Sequence, residues 1–378
     1  MQSPPKPRAF LTQATEFTDV SRGDPKPYSL EGDALINARL TRESWRLEIV
    51  PDDTATLERP LTIENGRALD LASLESRGAT RAVHYLKALQ CNNIDQPLGQ
   101  GLWEGIPLRD LLELAGKRKN VRRLYYYGFH NNDPNQIFQS SLAINQVLDS
   151  PPGELPPFVA YRLNGQPIPL VRGGPVRLIV PWAHGFKSVK WLMRVVLTND
   201  HEANDTYAGA NNDPESYLKT AAYIDAQSDE ARVVTAGQAL HLTGTAIVGW
   251  PGLDRVEYWL RPLAGNHGHL ADDDPAWSTA AWKPCRIELP PADWSESLPA
   301  GAKAGAIWGF DRATGNPRAW PMRFSVALWA AELPPLPPGG YEFRVRTVDQ
   351  NGFAQPQPRP GGQSGRNLIQ CQELLATS

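Results

Sequence analysis

The stretch VRGGPVRLIVPWAHGFKSVKWL, residues 171–192, sets Arg172, Arg177, Lys187 and Lys190 among Gly-Gly, Pro-Trp and Gly-Phe turns. Arg177 stands between Val176 and Leu178 in an apolar strand pattern, where a guanidinium without an anion is costly to bury. Arg172, Arg177 and Lys190, with the backbone N–H groups at Ser188 and Val189, make a multi-donor set. Guanidinium forks and backbone N–H groups are the donors that a phosphate requires. The plainer reading of the four cations is a solvated face with a few salt bridges. The sharper one is a site built to hold an anion.

Cys91, in LQC, precedes a loop rich in Gly, Asn and Pro, NNIDQPLGQG. A free cysteine is most often a small buried hydrophobe; the alternative is a soft thiolate ligand for a thiophilic metal. Cys285 and Cys371 fall among short strands and read as packing residues. Three cysteines spread over the chain are no disulfide framework. No CxxC, CxxCH or HExxH occurs, so structural zinc, c-type haem and zincin chemistry lack support. A cysteine hydrolase pairing Cys91 with His84 or His130 lacks an Asn or Asp pattern to orient the base. His130 closes the strand pattern LYYYGFH. It reads as a satisfied loop histidine or as a ligand contact, since imidazole both donates and accepts. His184, in PWAHGF, is a proton donor at the same cavity or part of its wall. Arg22, in DVSRGDPKP, is a solvated loop arginine or reaches that cavity from the N-terminal arm.

The net charge of −3 implies no polyanion such as nucleic acid, so the cations of 171–192 are a local feature. Pro 35, Gly 31 and Trp 12 suit a loop-rich β or α+β protein more than a helical one. The opening MQSPPKPRAFLTQATEF lacks the apolar core of about 7–15 residues that a signal peptide carries. No apolar run reaches the ~18 residues of a membrane span. The expectation is a cytoplasmic protein, or a periplasmic one if an export signal has been removed.

The elements that must position these residues follow from periodicity. Residues 1–44 read as an irregular arm. SWRLEIV alternates Trp45, Leu47 and Ile49 inward and predicts a strand. IPLRDLLELAG predicts a helix with Pro107 in its first turn and Gly116 as its stop. VRRLYYYGFH predicts a strand, SSLAINQVL a short helix with a serine cap, and FVAYRLNGQPI two strands around an Asn-Gly turn. PVRLIVPW and VKWLMRVVLT predict two apolar strands. Beyond about residue 225, short alternating strands with turn signals predict a β-sandwich. The division is 1–44 arm, 45–225 first domain, 226–378 sandwich.

LQC with WEGIPLRDLLELAG, then AYRLNGQPIP and GGPVRLIVPWAHGFKSVKWLMRVVLT, resemble the sulfite oxidase family of molybdopterin enzymes. The tail GYEFRVRTVDQNGFAQP resembles that family's C-terminal immunoglobulin-like dimerisation domain. PWAHGFKSVK is most similar to the branch that includes the methionine sulfoxide reductase catalytic subunit. The resemblance spans roughly residues 40–360. It implies an α+β molybdopterin domain followed by an immunoglobulin-like β-sandwich. It also implies a molybdenum held by a single pyranopterin and by Cys91. His130, Arg172, Arg177, Ser188, Val189, Lys190 and Arg22 would hold the pterin and its phosphate, and Tyr207 and His184 would serve catalysis. The implied reaction is oxygen-atom transfer on a small S- or N-oxide or a sulfite-like molecule. A separate electron partner, cytochrome or quinone-linked, would complete it, and a homodimer is compatible. The chain departs from sulfite oxidases proper by lacking an arginine pair after Cys91, and Tyr207 in NDTYAG is displaced from the family tyrosine. With Asp95 in that loop and no base, a neutral oxide is expected to be favoured over sulfite. The alternative class is a cofactor-free binding protein that keeps the fold.

Overall fold

The computed structural model describes residues 9–91, 94–151, 153–203, 205–206, 216–263, 269–271, 274–356 and 368–378. It is rich in sheet, with few and short helices.

The alternation of SWRLEIV drives Trp45, Leu47 and Ile49 fully into the core, ahead of and within β1 (Glu48–Pro51). The Trp45 indole N–H donates to Leu192 O at 2.8 Å and so ties this segment to β8 (Leu192–Thr198), beside which β1 runs parallel. β8 pairs antiparallel with β4 (Arg123–Gly128), and β4 with β5 (Gln139–Ala143), which closes one four-stranded sheet. The second sheet runs β7 (Arg177–Ile179), β6 (Phe158–Leu163), β3 (Gly99–Pro107) and β2 (Val83–Leu89), with the two-residue strand Gln166–Pro167 added to β6. Its hairpin turns at Asn164 and Gly165, both with positive φ, as the Asn-Gly signal predicts. One apolar core joins both sheets.

Several expectations needed correction. The Gly-rich segment after Cys91 is a loop only at first; from Gly99 it is the nine-residue strand β3. Its glycines answer close approach rather than turning. A Cβ at Gly105 would lie 2.2 Å from Val159 O, where the β3–β6 register shifts. SSLAINQVL is strand β5 followed by α4 (Ile144–Leu148), and the Gln146 side chain, not a serine, accepts from the Ala143 N–H at 2.9 Å. The arm contains a helix, α1 (Gly32–Asn37), and α2 (Leu71–Arg81) was not anticipated; Asp70 caps α2 by accepting from Ser73 N at 2.8 Å. α3 (Leu108–Leu114) starts after Pro107 as expected, with Leu108, Leu111, Leu112 and Ala115 buried and Gly116 at positive φ behind it.

The C-terminal strands form two further sheets. One orders β9 (Ala221–Ile224), β11 (Leu240–Ile247), β13 (Val326–Leu333) and Arg286–Ile287. The other orders β10 (Arg232–Thr235), β15 (Gln370–Thr377), β14 (Gly339–Asp349), β12 (Leu253–Pro262) and Lys283–Pro284. Leu242 and Trp329 from the first and Phe343 and Leu374 from the second share one core. No helix among the described residues is long and apolar enough to cross a membrane.

Lys187 leaves the set of four cations. Its Nζ donates to Asp205 Oδ2 at 2.5 Å and to Ser141 O at 2.8 Å, with both charged side chains only 2% exposed. This closed pair pins the turn before β8 onto β5. Asp205→Asn is expected to lower stability by about 3–5 kcal/mol, because it strands a buried ammonium. The double change Lys187→Met with Asp205→Leu is expected to recover most of that loss. Urea unfolding of the three proteins measures both effects.

Candidate functional site

Four segments converge on one cavity of about 1020 Å³ including its open mouth. They are the arm around Phe17–Gly23, the end of β2 with Cys91, the end of β4 at Gly128–His130, and the segments either side of β7. Every cofactor-binding residue expected from the sequence lines it: Arg22, Cys91, His130, Arg172, Arg177, Ser188, Val189 and Lys190.

Arg177, 3% exposed, donates through Nη1 to Arg172 O at 2.8 Å and through Nη2 to Ser188 O at 2.6 Å. It therefore staples the two ends of the basic segment together, and its guanidinium carbon lies 5.2 Å from the Trp103 ring centroid. Burial, and then the neighbouring Arg172, pull its pKa down to about 9, which leaves it charged at neutral pH. Arg172 is buried too and donates from Nε to Ala14 O at 2.7 Å, which fastens the arm. Lys190 donates to Asp19 Oδ1 at 3.0 Å, Ser21 Oγ at 2.6 Å and Val171 O at 2.8 Å. Burial and Arg177 push its pKa down to about 8 against the opposing pull of Asp19. Asp19 is drawn down to about 2: burial works against ionisation, but the Ser21 hydroxyl and Lys190 outweigh it. Among the described residues, Asp19 is the only carboxylate ion-paired with any of these three cations. Carbonyls accept from both Nη groups of Arg177 without neutralising its charge, and its buried Nε has no partner among the described residues, so the cavity wall carries net positive potential.

Two glycines admit this arrangement. A Cβ at Gly128 would stand 1.9 Å from Lys190 O, and one at Gly173, whose φ is +95°, would stand 2.7 Å from Lys190 Cβ.

Other positions differ in part from expectation. The Ser188 backbone N–H is already bonded to Gly185 O at 2.9 Å, so that donor serves the turn, and its hydroxyl accepts from Val180 N at 3.1 Å. His130 meets Gly128 O through Nδ1 at 3.3 Å; that nitrogen carries the proton in the neutral ring and leaves Nε2 as the acceptor. His184 is buried and does not line the cavity, whereas its neighbours Gly185 and Phe186 do. Tyr207 lies outside the described residues. The backbone carbonyl of Asp95 accepts from Gln370 Nε2 at 2.6 Å, and the residue lines a separate cleft. Sequence reasoning missed Asp19 and Ser21, although FTDVSRG places an acid beside the Arg22 it singled out.

The family model described as an oxidoreductase molybdopterin binding domain matches residues 36–206. The NADPH nitrate reductase of Fusarium oxysporum is 32% identical over 107 residues, covering 28% of this chain and 11% of that protein. The mitochondrial sulfite oxidase of Drosophila melanogaster is 23% identical over 326 residues, covering 83% of this chain and 52% of that protein. The chain thus spans about half or less of the length of these curated relatives. In fold it is similar to the crystal structure of the sulfane dehydrogenase SoxCD from Paracoccus pantotrophus, with a TM-score of 0.58, 16% identity, and coverage of 93% of this chain and 86% of that one.

The cavity's charge is titratable at Lys190. Below about pH 8 the ammonium is present, and above it the charge is lost. Pyrophosphate binding to metal-free protein is therefore expected to weaken as pH rises from 7 to 8.5, below the Arg177 pKa of about 9. The loss of one charged contact amounts to about ten- to hundredfold in affinity. Isothermal titration at the two pH values checks this, and Lys190→Gln should bind weakly at both.

Proposed function

The chain belongs to the sulfite oxidase family of molybdopterin-dependent oxidoreductases, and from that premise we propose that it catalyses oxygen-atom transfer on a small S- or N-oxide or a sulfite-like molecule. One observation carries the reading: a single cavity is walled by a cysteine and by a set of buried cations with one acid among them. A molybdopterin needs both, a soft thiolate toward the metal and fixed positive charge toward the phosphate. The residues present fit the group.

In this proposal Cys91 ligates the metal. Arg172, Arg177 and Lys190 hold the phosphate, and His130 offers Nε2 to the pterin. When bound, the molybdenum–pterin supplies the two-electron oxygen-atom chemistry, and the protein supplies orientation, pocket shape and electrostatics. Phe17 and Phe138 give the cavity apolar walls, which strengthen each charged contact by excluding water. Tyr207 belongs to the proposal as a group that orients substrate or holds a proton, whereas His184, buried behind the cavity lining, has no such part. The immunoglobulin-like reading of residues 226–378, with a dimerisation role, belongs to it as well. So does a separate electron partner, cytochrome or quinone-linked.

The expected preference against sulfite rested on Asp95 and on the lack of a base in its loop, and Asp95 lines another cleft. Arg22 lines the cavity from the arm, 5.6 Å from the Phe138 ring centroid, and brings the positive charge that the loop after Cys91 lacks. Anionic and neutral substrates both remain within the class, and Arg22 separates them.

Protein from a molybdenum-replete host is expected to hold about one molybdenum per chain. None would favour a cofactor-free binding protein. Cys91→Ser is expected to keep the fold and the pterin while turnover falls more than about a hundredfold, beyond the cost of losing an outer partner of a metal site. Wild-type rates in that variant would remove Cys91 as ligand. Arg22→Ala is expected to raise KM for sulfite about tenfold while leaving KM for a neutral sulfoxide within about twofold. Equal effects on both substrates would make Arg22 a structural residue.

A further inference from the structure

Lys87 lies on β2 four positions ahead of Cys91, in a run of otherwise uncharged residues, YLKALQC. It is 0% exposed. Its Nζ donates to Ala183 O at 3.2 Å, and its own carbonyl accepts from the Trp103 indole N–H at 3.2 Å. No carboxylate is ion-paired with it among the described residues. A methionine or leucine would fill this space without desolvating an ammonium, so packing alone does not account for a lysine here. A lysine offers what they lack, a donor and a charge.

The donor reaches the turn that begins at Ala183. A second bond ties the same turn to the same strand, from Gly185 N to Gln90 O at 2.7 Å. Gly185 and Phe186 then line the cavity beside Cys91. Lys87 and Gln90 thus clamp one wall of the cavity onto the strand that delivers the cysteine.

We infer that Lys87 is a positioning residue of the site: it holds the Ala183–Phe186 turn against the Cys91 segment and presents a positive charge behind it. The inference rests on the proposed role of Cys91. The charge is titratable, because burial draws the Lys87 pKa down to about 7. The groups that face it from its surroundings do not neutralise it. β3 opposes it with Gln100, Gly101 and Leu102, none of which titrates. The turn contributes His184, and its own strand contributes Tyr85 and Cys91. Arg177 lies beyond Trp103, and Arg323, next to the Phe324 that bonds Ala88, is paired with Glu154. An ammonium so placed stabilises the reduced, more electron-rich state of a metal on Cys91. That effect is present while Lys87 is protonated and fades as pH rises past its pKa. An anionic group in the cavity moves this window upward.

The test uses the wild type, Lys87→Met and Lys87→Gln, each purified from a molybdenum-replete host. In metal-free protein, a lysine with a depressed folded pKa makes stability rise with pH between about 7 and the unfolded value near 10. Urea unfolding should show a steeper rise in the wild type than in Lys87→Met, whose remaining rise comes from Lys190 and Arg177. In loaded protein, both variants should retain molybdenum. Their midpoint potential should lie below the wild-type value at pH 6, and the gap should shrink by pH 9. Turnover should fall about tenfold with KM little changed. Lys87→Gln keeps a donor, so it should recover turnover in part but not the potential. A loaded Lys87→Met protein with wild-type potential at both pH values and wild-type turnover overturns the inference. Absence of molybdenum from the wild type overturns the Cys91 reading beneath it, and that result needs no variant to be recognised.

Discussion

A guanidinium that is buried without a carboxylate sets the terms for this site. Arg177 sits in an apolar strand and spends both Nη groups on carbonyls, those of Arg172 and Ser188. The bonds fix the segments on either side of β7 in one geometry, as only a rigid fork can. They leave the charge itself unbalanced. Arg172 and Lys190 add to it, and Asp19 offsets one unit. The glycines at 128 and 173 exist in this light to let the Lys190 backbone and stem come close enough to join the set. Bulk charge is −3, so the positive wall is a product of folding and not of composition.

Lys187 shows the opposite solution ten positions away in the same segment. It is as deeply buried as Arg177, yet Asp205 and Ser141 close its hydrogen bonds and cancel its charge. A closed pair is silent toward ligands and acts on stability. An open cation acts on ligands and strains the empty fold. Two residues of similar chemistry, ten positions apart, thus take opposite roles because of what stands across from each.

That contrast explains how much could be read from the sequence. The cavity lining was legible in part because Arg172, Arg177, Ser188, Val189 and Lys190 cluster in one segment with turn residues between them, and Arg22, Cys91 and His130 line the same cavity from other segments. The alternation of SWRLEIV and the Asn-Gly turn gave their elements directly. What could not be read depends on partners distant in sequence. Asp205 for Lys187, Asp19 for Lys190 and Gln370 for Asp95 leave no local mark. β3 was hidden for another reason. It is buried on both faces and carries glycines for close packing, so it shows neither alternation nor a continuous apolar run.

The arm beyond β1 belongs to the same electrostatic unit. It is held over the cavity by Arg172 on Ala14 O, by Lys190 on Asp19 and Ser21, and by Lys26 on the Ser21 carbonyl. The first two are bonds of the very cations that face the cavity, the Lys26 bond is internal to the arm, and Phe17 against Trp103 reinforces them. Any anion that enters must share Lys190 with Asp19, so binding and arm position are coupled through one ammonium. The coupling runs in the stabilising direction for the whole. Three like charges raise the free energy of the empty protein, and an anion that neutralises them adds its binding energy to folding. The fold of the first two sheets, the order of the arm and the occupancy of the cavity are therefore linked by charge balance, with Arg177 the most deeply buried of the three cations.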